Sequence, residues 1–220
     1  MLIYLFFYAV DMLMWSLALV LCILLAVGIS GHRLSLGRKL WILVLALYLA
    51  AVYNVAGAPE LPYINPMFNI NLIPLVDIAS NVSAYLVNSA LNIILFMPLG
   101  FILPLLWDSF RSRRAILLTG FLLSLAIELS QLLNYRVTDV DDLITNTLGA
   151  LLGYELLFFC HRHRKRGLLM GEGNGGRRQF LAIVSVVVLI MFALRPYITL
   201  AVSNICLLYT SPSPRDPKTS

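Results

Sequence analysis

An all-α bundle of membrane-spanning helices is the fold class this sequence predicts, and three observations predict it. Of the 220 residues, 60% are hydrophobic and only 12% charged, with a mean hydropathy of +0.87, too little charge to coat a soluble domain. The apolar residues run in long blocks, several reaching the roughly 20 residues that a helix needs to cross a bilayer. Basic residues gather in alternate gaps between those blocks.

Six spans are expected, at about 2–30, 40–56, 86–107, 115–133, 143–160 and 180–200. The first carries Asp11 but no basic segment before it and no convincing small-residue cleavage site after it, so a retained helix is expected rather than a signal peptide. Five segments follow: a first helix with a basic loop (1–39), a membrane domain (40–160), a basic loop (161–179), a last helix (180–206) and a tail (207–220). The Pro-rich tail is expected to be disordered and has the look of non-native read-through sequence, so it carries no functional weight.

Segments 32–39, 108–114 and 161–179 hold twelve of the sixteen basic residues, among them Arg33, Arg38, Arg111, Arg113, Arg114, Arg177 and Arg178. The positive-inside rule makes these segments cytoplasmic and puts both termini outside. The net charge of +5 is then a topology signal with a contact role toward anionic membrane lipids, and nucleic acid is not an expected partner. Cys22, Cys160 and Cys206 have neither metal-ligand spacing nor an even count, and read as apolar packing residues.

Polar residues inside spans are costly and usually face the bundle interior. Asn88, Asn92, Phe96 and Gly100 fall four residues apart, on one helical face. Pro98 and Pro104 in the same span favour a kink. Gly120, Ser124, Glu128 and Gln131 make a second stripe, with Gly120 and Ser124 a small-xxx-small pair. Asp142, Asn146, Gly149 and Gly153 make a third, ending in GxxxG. With this topology the polar members of all three meet at the outer leaflet, beside Arg136 and Asp139. Each has a bland alternative: interhelical hydrogen bonding for the amides, plain packing for the glycines, helix-dipole complementation for Asp139 and Asp142, an ion pair for Glu128 and Arg136. Asp141 points elsewhere and is expected in solvent. Glu155 is expected to pair with a neighbour or reach the cytoplasm, and Arg195 is a marginal candidate for the outer cluster.

These residues carry a resemblance. Asn92-Ile-Ile-Leu-Phe96-Met-Pro98-Leu-Gly100 resembles the N-x-x-x-F-x-P-x-G segment of the VanZ-like family. Glu128-Leu-Ser-Gln131 is similar to its E-x-x-Q. Arg136-Val-Thr-Asp139-Val-Asp-Asp142-Leu-Ile-Thr-Asn146-Thr-Leu-Gly149 resembles its R-x-x-D-x-x-D-x-x-x-N-x-x-G, with Gly153 completing the glycine pair. Asn71-Leu-Ile-Pro74 resembles a family N-L-x-P element. The likeness covers about 40–160. The family is named for a protein associated with teicoplanin resistance. The resemblance therefore implies a bacterial cytoplasmic-membrane protein with a role in glycopeptide susceptibility, and implies no agreed biochemical mechanism.

Three functions are in play. The outer cluster (Asn92, Glu128, Gln131, Arg136, Asp139, Asp142, Asn146) binds a cell-envelope ligand, such as a lipid-linked cell-wall precursor or a glycopeptide-related molecule. Alternatively, Glu128, Asp139 and Asp142 serve as catalytic carboxylates on a lipid-linked substrate. A third possibility is a small-solute or ion transporter, for which Pro98 and Gly100 would mark a broken helix. Asn71, Pro74, Phe96, Pro98, Gly100, Gly149 and Gly153 are expected to be structural. No cofactor and no metal are expected, although a divalent cation at Asp139 and Asp142 is chemically conceivable. His32, His161 and His163 all fall on the inner side, so no Ser/His or Cys/His set forms at the outer face. Nothing in the sequence fixes an oligomeric state.

Overall fold

The computed structural model describes residues 35–56, 64, 70–71, 73–79, 81–133, 138–163 and 176–198, with isolated helical positions at 12, 16, 20, 21, 24, 200, 201 and 204. The expected first span lies outside the described residues apart from five of those positions, as do Arg136, Cys22, Cys206, the 164–175 loop and the tail. Five long helices follow in order: α1 (Leu36–Val55), α2 (Val82–Leu106), α3 (Arg113–Gln131), α4 (Val140–His163) and α5 (Gly176–Leu189), the last prolonged by a π-helical turn at Ile190–Leu194. All five, with α5 counted to Ile198, are long and apolar enough to cross a membrane.

All five helices begin two to four residues before the expected spans do, three of them behind a side-chain cap. Caps explain the difference. The Ser35 hydroxyl accepts from the Arg38 N–H, the Asn81 side-chain Oδ1 from the Ala84 N–H, and the Ser112 hydroxyl from the Ala115 N–H. A helix starts where its first free N–H groups find an acceptor, not where hydropathy rises. Arg38, Lys39, Arg113, Arg114, Arg177 and Arg178 therefore sit on first helical turns rather than in loops.

Large apolar side chains point outward along every helix, among them Leu40, Leu91, Leu118, Leu152, Phe159 and Leu181. Water would penalise that surface, and hydrocarbon does not. Hydroxyls within the spans turn back on their own helices: Thr145 Oγ1 donates to the Asp141 carbonyl, Thr147 Oγ1 to Leu143, and Thr119 Oγ1 to Ala115. Leu45, Phe96, Leu103, Leu106, Trp107 and Ala150 form the centre of the core.

The closest packing joins α2 and α4, which run parallel. The Ile93 backbone lies against Gly149, the Met97 backbone against Gly153, and the Ala150 carbonyl against Gly100. A Cβ at any of the three would overlap a carbonyl oxygen of the facing helix. Small residues are what allow backbones to meet in this way. Pro98 and Pro104 both lie inside α2, yet the helix is continuous from Val82 to Leu106, so the broken helix considered from sequence is not formed.

The other end of the bundle is basic and firmly tied. Trp107 Nε1 donates to Gln179 Oε1 at 2.8 Å, and Phe110 meets Phe180 edge-on at 5.5 Å between centroids. Tyr154 donates from its hydroxyl to the Arg111 carbonyl at 3.0 Å. Arg113 grips Glu155 with two hydrogen bonds of 2.6 and 3.1 Å, which settles the expected partner of Glu155.

Gly153→Leu should lower stability by about 1–3 kcal/mol or prevent folding, because the Met97 carbonyl has nowhere to move. Leu152→Ala, at a neighbouring outward position, should cost far less. Thermal unfolding in detergent, followed by circular dichroism, compares the two.

Candidate functional site

Sequence spacing places Asn88, Asn92 and Phe96 on the α2 face that leads to Gly100, and Asp142 and Asn146 on the α4 face that leads to Gly149. The α2–α4 contact brings those faces together. Asn92 Nδ2 donates to Asp142 Oδ1 at 2.6 Å. On α3, Ser124 lies opposite Asn146, whose Nδ2 donates to Ser124 Oγ at 2.9 Å. Glu128 sits one turn further along α3 and is 3% exposed. From α3, Gln131 Nε2 reaches across to the Ala56 carbonyl at the end of α1, at 2.8 Å. That bond satisfies one of the carbonyls a helix leaves open at its C-terminus.

These contacts enclose a cavity of about 340 Å³. Its polar lining comes from Asn88, Asn92, Glu128, Gln131, Asp142 and Asn146, and its apolar lining from Val55, Ala56, Leu91, Leu95, Phe96 and Ile127. The cavity occupies the end of the bundle opposite the basic one. Val55, the last residue of α1, and Leu91 of α2 line the cavity and are both strongly exposed, so its mouth lies between those two helices. Below the mouth, the Tyr48 hydroxyl donates to the Leu95 carbonyl at 2.8 Å and pins α1 to α2.

Asp139 stands behind the cavity rather than in it. Its backbone N–H donates to Glu128 Oε2 at 3.0 Å, giving that buried carboxylate a donor. Its side chain caps α4, Oδ1 accepting from the Asp141 N–H at 2.9 Å. Asp139 Oδ2 accepts from Asn71 Nδ2 at 3.3 Å, and residues Ile70–Asn71 pair as a two-residue parallel ladder with Thr138–Asp139. Asn71, with Ile70 beside it, is thus the strap that holds the start of α4.

Asp141 corrects the sequence expectation. It is 6% exposed, not solvated, and its Oδ2 accepts from the Leu75 N–H at 2.8 Å. The Leu75 backbone lies over Asp141 at the first turn of α4, and the turn Val76–Ala79 that follows packs against α2. Leu75 is held there at φ 65°, the left-handed region that a leucine seldom occupies. No local pattern around Asp141 announces this cover; the partner is 66 residues away. Arg195 lies elsewhere, bonded to Asn54 Oδ1 beside a second, smaller cavity with Met12 and Ser16. Arg136 lies outside the described residues, so its expected pairing with Glu128 has no geometry here. Among the described residues no three His, Cys, Asp or Glu side chains group as a metal site. One contributor had no sequence signal, the α1 terminus at Val55 and Ala56; Ser124 lay in the polar stripe of α3, and only its pairing with Asn146 was not legible there.

Asn71→Ala should free the strap while sparing the helices. Hydrogen exchange should speed up over 70–79 and at the first turn of α4, with protection of α2 unchanged.

Comparison with known proteins adds one positive finding. No curated protein and no solved structure matches the chain. The profile of the VanZ/LLP1 family matches residues 40–161. That stretch runs from the start of α1 to the end of α4 and contains every residue of the cavity, and the chain belongs to the VanZ-like family of membrane proteins.

Proposed function

We propose that this protein binds an amphiphilic cell-envelope ligand, with the ligand's polar head in the four-helix cavity and its apolar part in the bilayer. The single observation behind this is the cavity's form: buried carboxylate and amide groups inside, and a mouth flanked by exposed Val55 and Leu91. A water-soluble ligand gains nothing from such an entrance, whereas a lipid head enters it without leaving the membrane. The basic helix ends at the far side, read with the positive-inside rule, support an extracytoplasmic position for the cavity in a bacterial cytoplasmic membrane. Lipid-linked cell-wall precursors are exposed there, and capture of such a lipid would alter susceptibility to glycopeptides of the teicoplanin type.

The same carboxylates could serve an enzyme acting on such a lipid, but Asp139 is committed to capping α4 and Asp142 is bonded to Asn92. Binding uses these groups as they stand. Transport is disfavoured because the polar lining is confined to one end and α2 is continuous.

A photoreactive residue at position 92 should crosslink to a lipid in bacterial membranes, and one at exposed position 152 should not do so specifically. Glu128→Gln should accumulate at the wild-type level yet fail to restore the wild-type response to glycopeptides in a strain lacking the gene. Absence of specific adducts at position 92 in folded protein overturns the proposal.

A further inference from the structure

A groove of about 370 Å³ runs between α3 and α5 at the basic end of the bundle. It shares no lining residue with the cavity at Glu128, and its α5 wall lies beyond the residues that the family profile matches. Phe110 and Phe180 are buried at its floor, and Leu118, Leu122 and Leu181 are more than half exposed along its rims. Only Thr119 and Arg177 among its lining residues are polar, and the Thr119 hydroxyl is turned onto the Ala115 carbonyl. Such a lining takes hydrocarbon. On α3 the groove extends from Ala115 to Ala126, a rise of about 16 Å at 1.5 Å per residue. That is the depth of one leaflet, about half of a hydrocarbon core of roughly 30 Å. An acyl chain has this reach, whereas a spanning helix would need a groove twice as long.

One end of the groove carries charge. Arg114 precedes Leu118 by one turn of α3, and Arg177 precedes Leu181 by one turn of α5, so each apolar stripe ends on an arginine. Both arginines are exposed. Among the described residues neither has an acidic partner, whereas Arg111 holds Asp108 and Arg113 holds Glu155. Both helices also begin at this end, so their dipoles add to the positive field there. The described positions of the first span lie elsewhere: Met12 and Ser16 line the smaller cavity with Leu47 and Met191. Guanidinium groups match a phosphate in shape and charge. A zwitterionic head brings its own ammonium into the same positive field, and an anionic head does not. We propose that the groove is a site for an anionic phospholipid of the leaflet at the basic end, with one acyl chain along Leu118 and Leu122 and the phosphate at Arg114 and Arg177.

The full chain, released from nanodiscs of equal phosphatidylglycerol and phosphatidylcholine with the same acyl chains, tests this by native mass spectrometry. Phosphatidylglycerol should be retained over phosphatidylcholine by about tenfold. The double variant Arg114→Gln, Arg177→Gln should erase that preference. Arg178→Gln, at an exposed neighbour outside the groove lining, should leave it in place. Leu122→Trp should fill the groove at an exposed position and lower phosphatidylglycerol retention with both arginines intact. Circular dichroism checks that each variant is folded. A preference that survives the double variant, or retention that Leu122→Trp does not lower, overturns the site. Equal retention of the two lipids by the wild-type protein overturns the anionic head. A wild-type dimer in the same spectra, lost in Leu122→Trp, gives the groove to a second copy of the chain and overturns the lipid.

Discussion

The backbone contact between α2 and α4 is the constraint on which the site depends. Where Ile93 meets Gly149 and Met97 meets Gly153, the two backbones are in direct contact, with no room for a Cβ between them. Both helices run the same way, so the polar residues of both lie on the N-terminal side of the contact. Asn92 precedes Ile93 by one residue, and Asn146 precedes Gly149 by three. The 2.6 Å bond from Asn92 to Asp142 ties the same two helices on that side. A bulkier residue at either glycine would separate the helices and the site together.

Around this pair the remaining parts act as braces. α3 supplies Ser124, Glu128 and Gln131, and each is held: by Asn146, by the Asp139 N–H and by the Ala56 carbonyl. The strap at Asn71 and Leu75 then fixes the first turn of α4 through Asp139 and Asp141. In a low-dielectric interior such a network is stable only when its members are satisfied. That makes the unmatched Oδ1 of Asn146 stand out from its surroundings.

The aspartates illustrate how type and spacing divide from role. Asp139, Asp141 and Asp142 are nearly adjacent in sequence, yet each does something different. The first caps α4, the second holds Leu75, and the third faces Asn92 and the cavity. Helical geometry separates them by about 100° per residue, but which neighbour each then meets is set by helices and loops far along the chain. The expectation that Asp141 is solvated failed because the covering segment belongs to a different part of the sequence.

By itself the sequence determined the class of fold, since long apolar blocks with few charges have no stable arrangement other than helices in a bilayer. It also determined which faces matter, because helical periodicity aligns Asn92 with Gly100 and Asp142 with Gly153 whatever the neighbours are. Helix starts at Leu36, Val82 and Arg113 were hidden in polar caps, which hydropathy does not see. Only the tertiary structure decided that α1 closes the cavity through Ala56, that Asn71 and Asp139 form a strap, and that Asp141 is buried. Those partners lie tens of residues apart, and their contact comes from packing between helices, for which no local pattern exists.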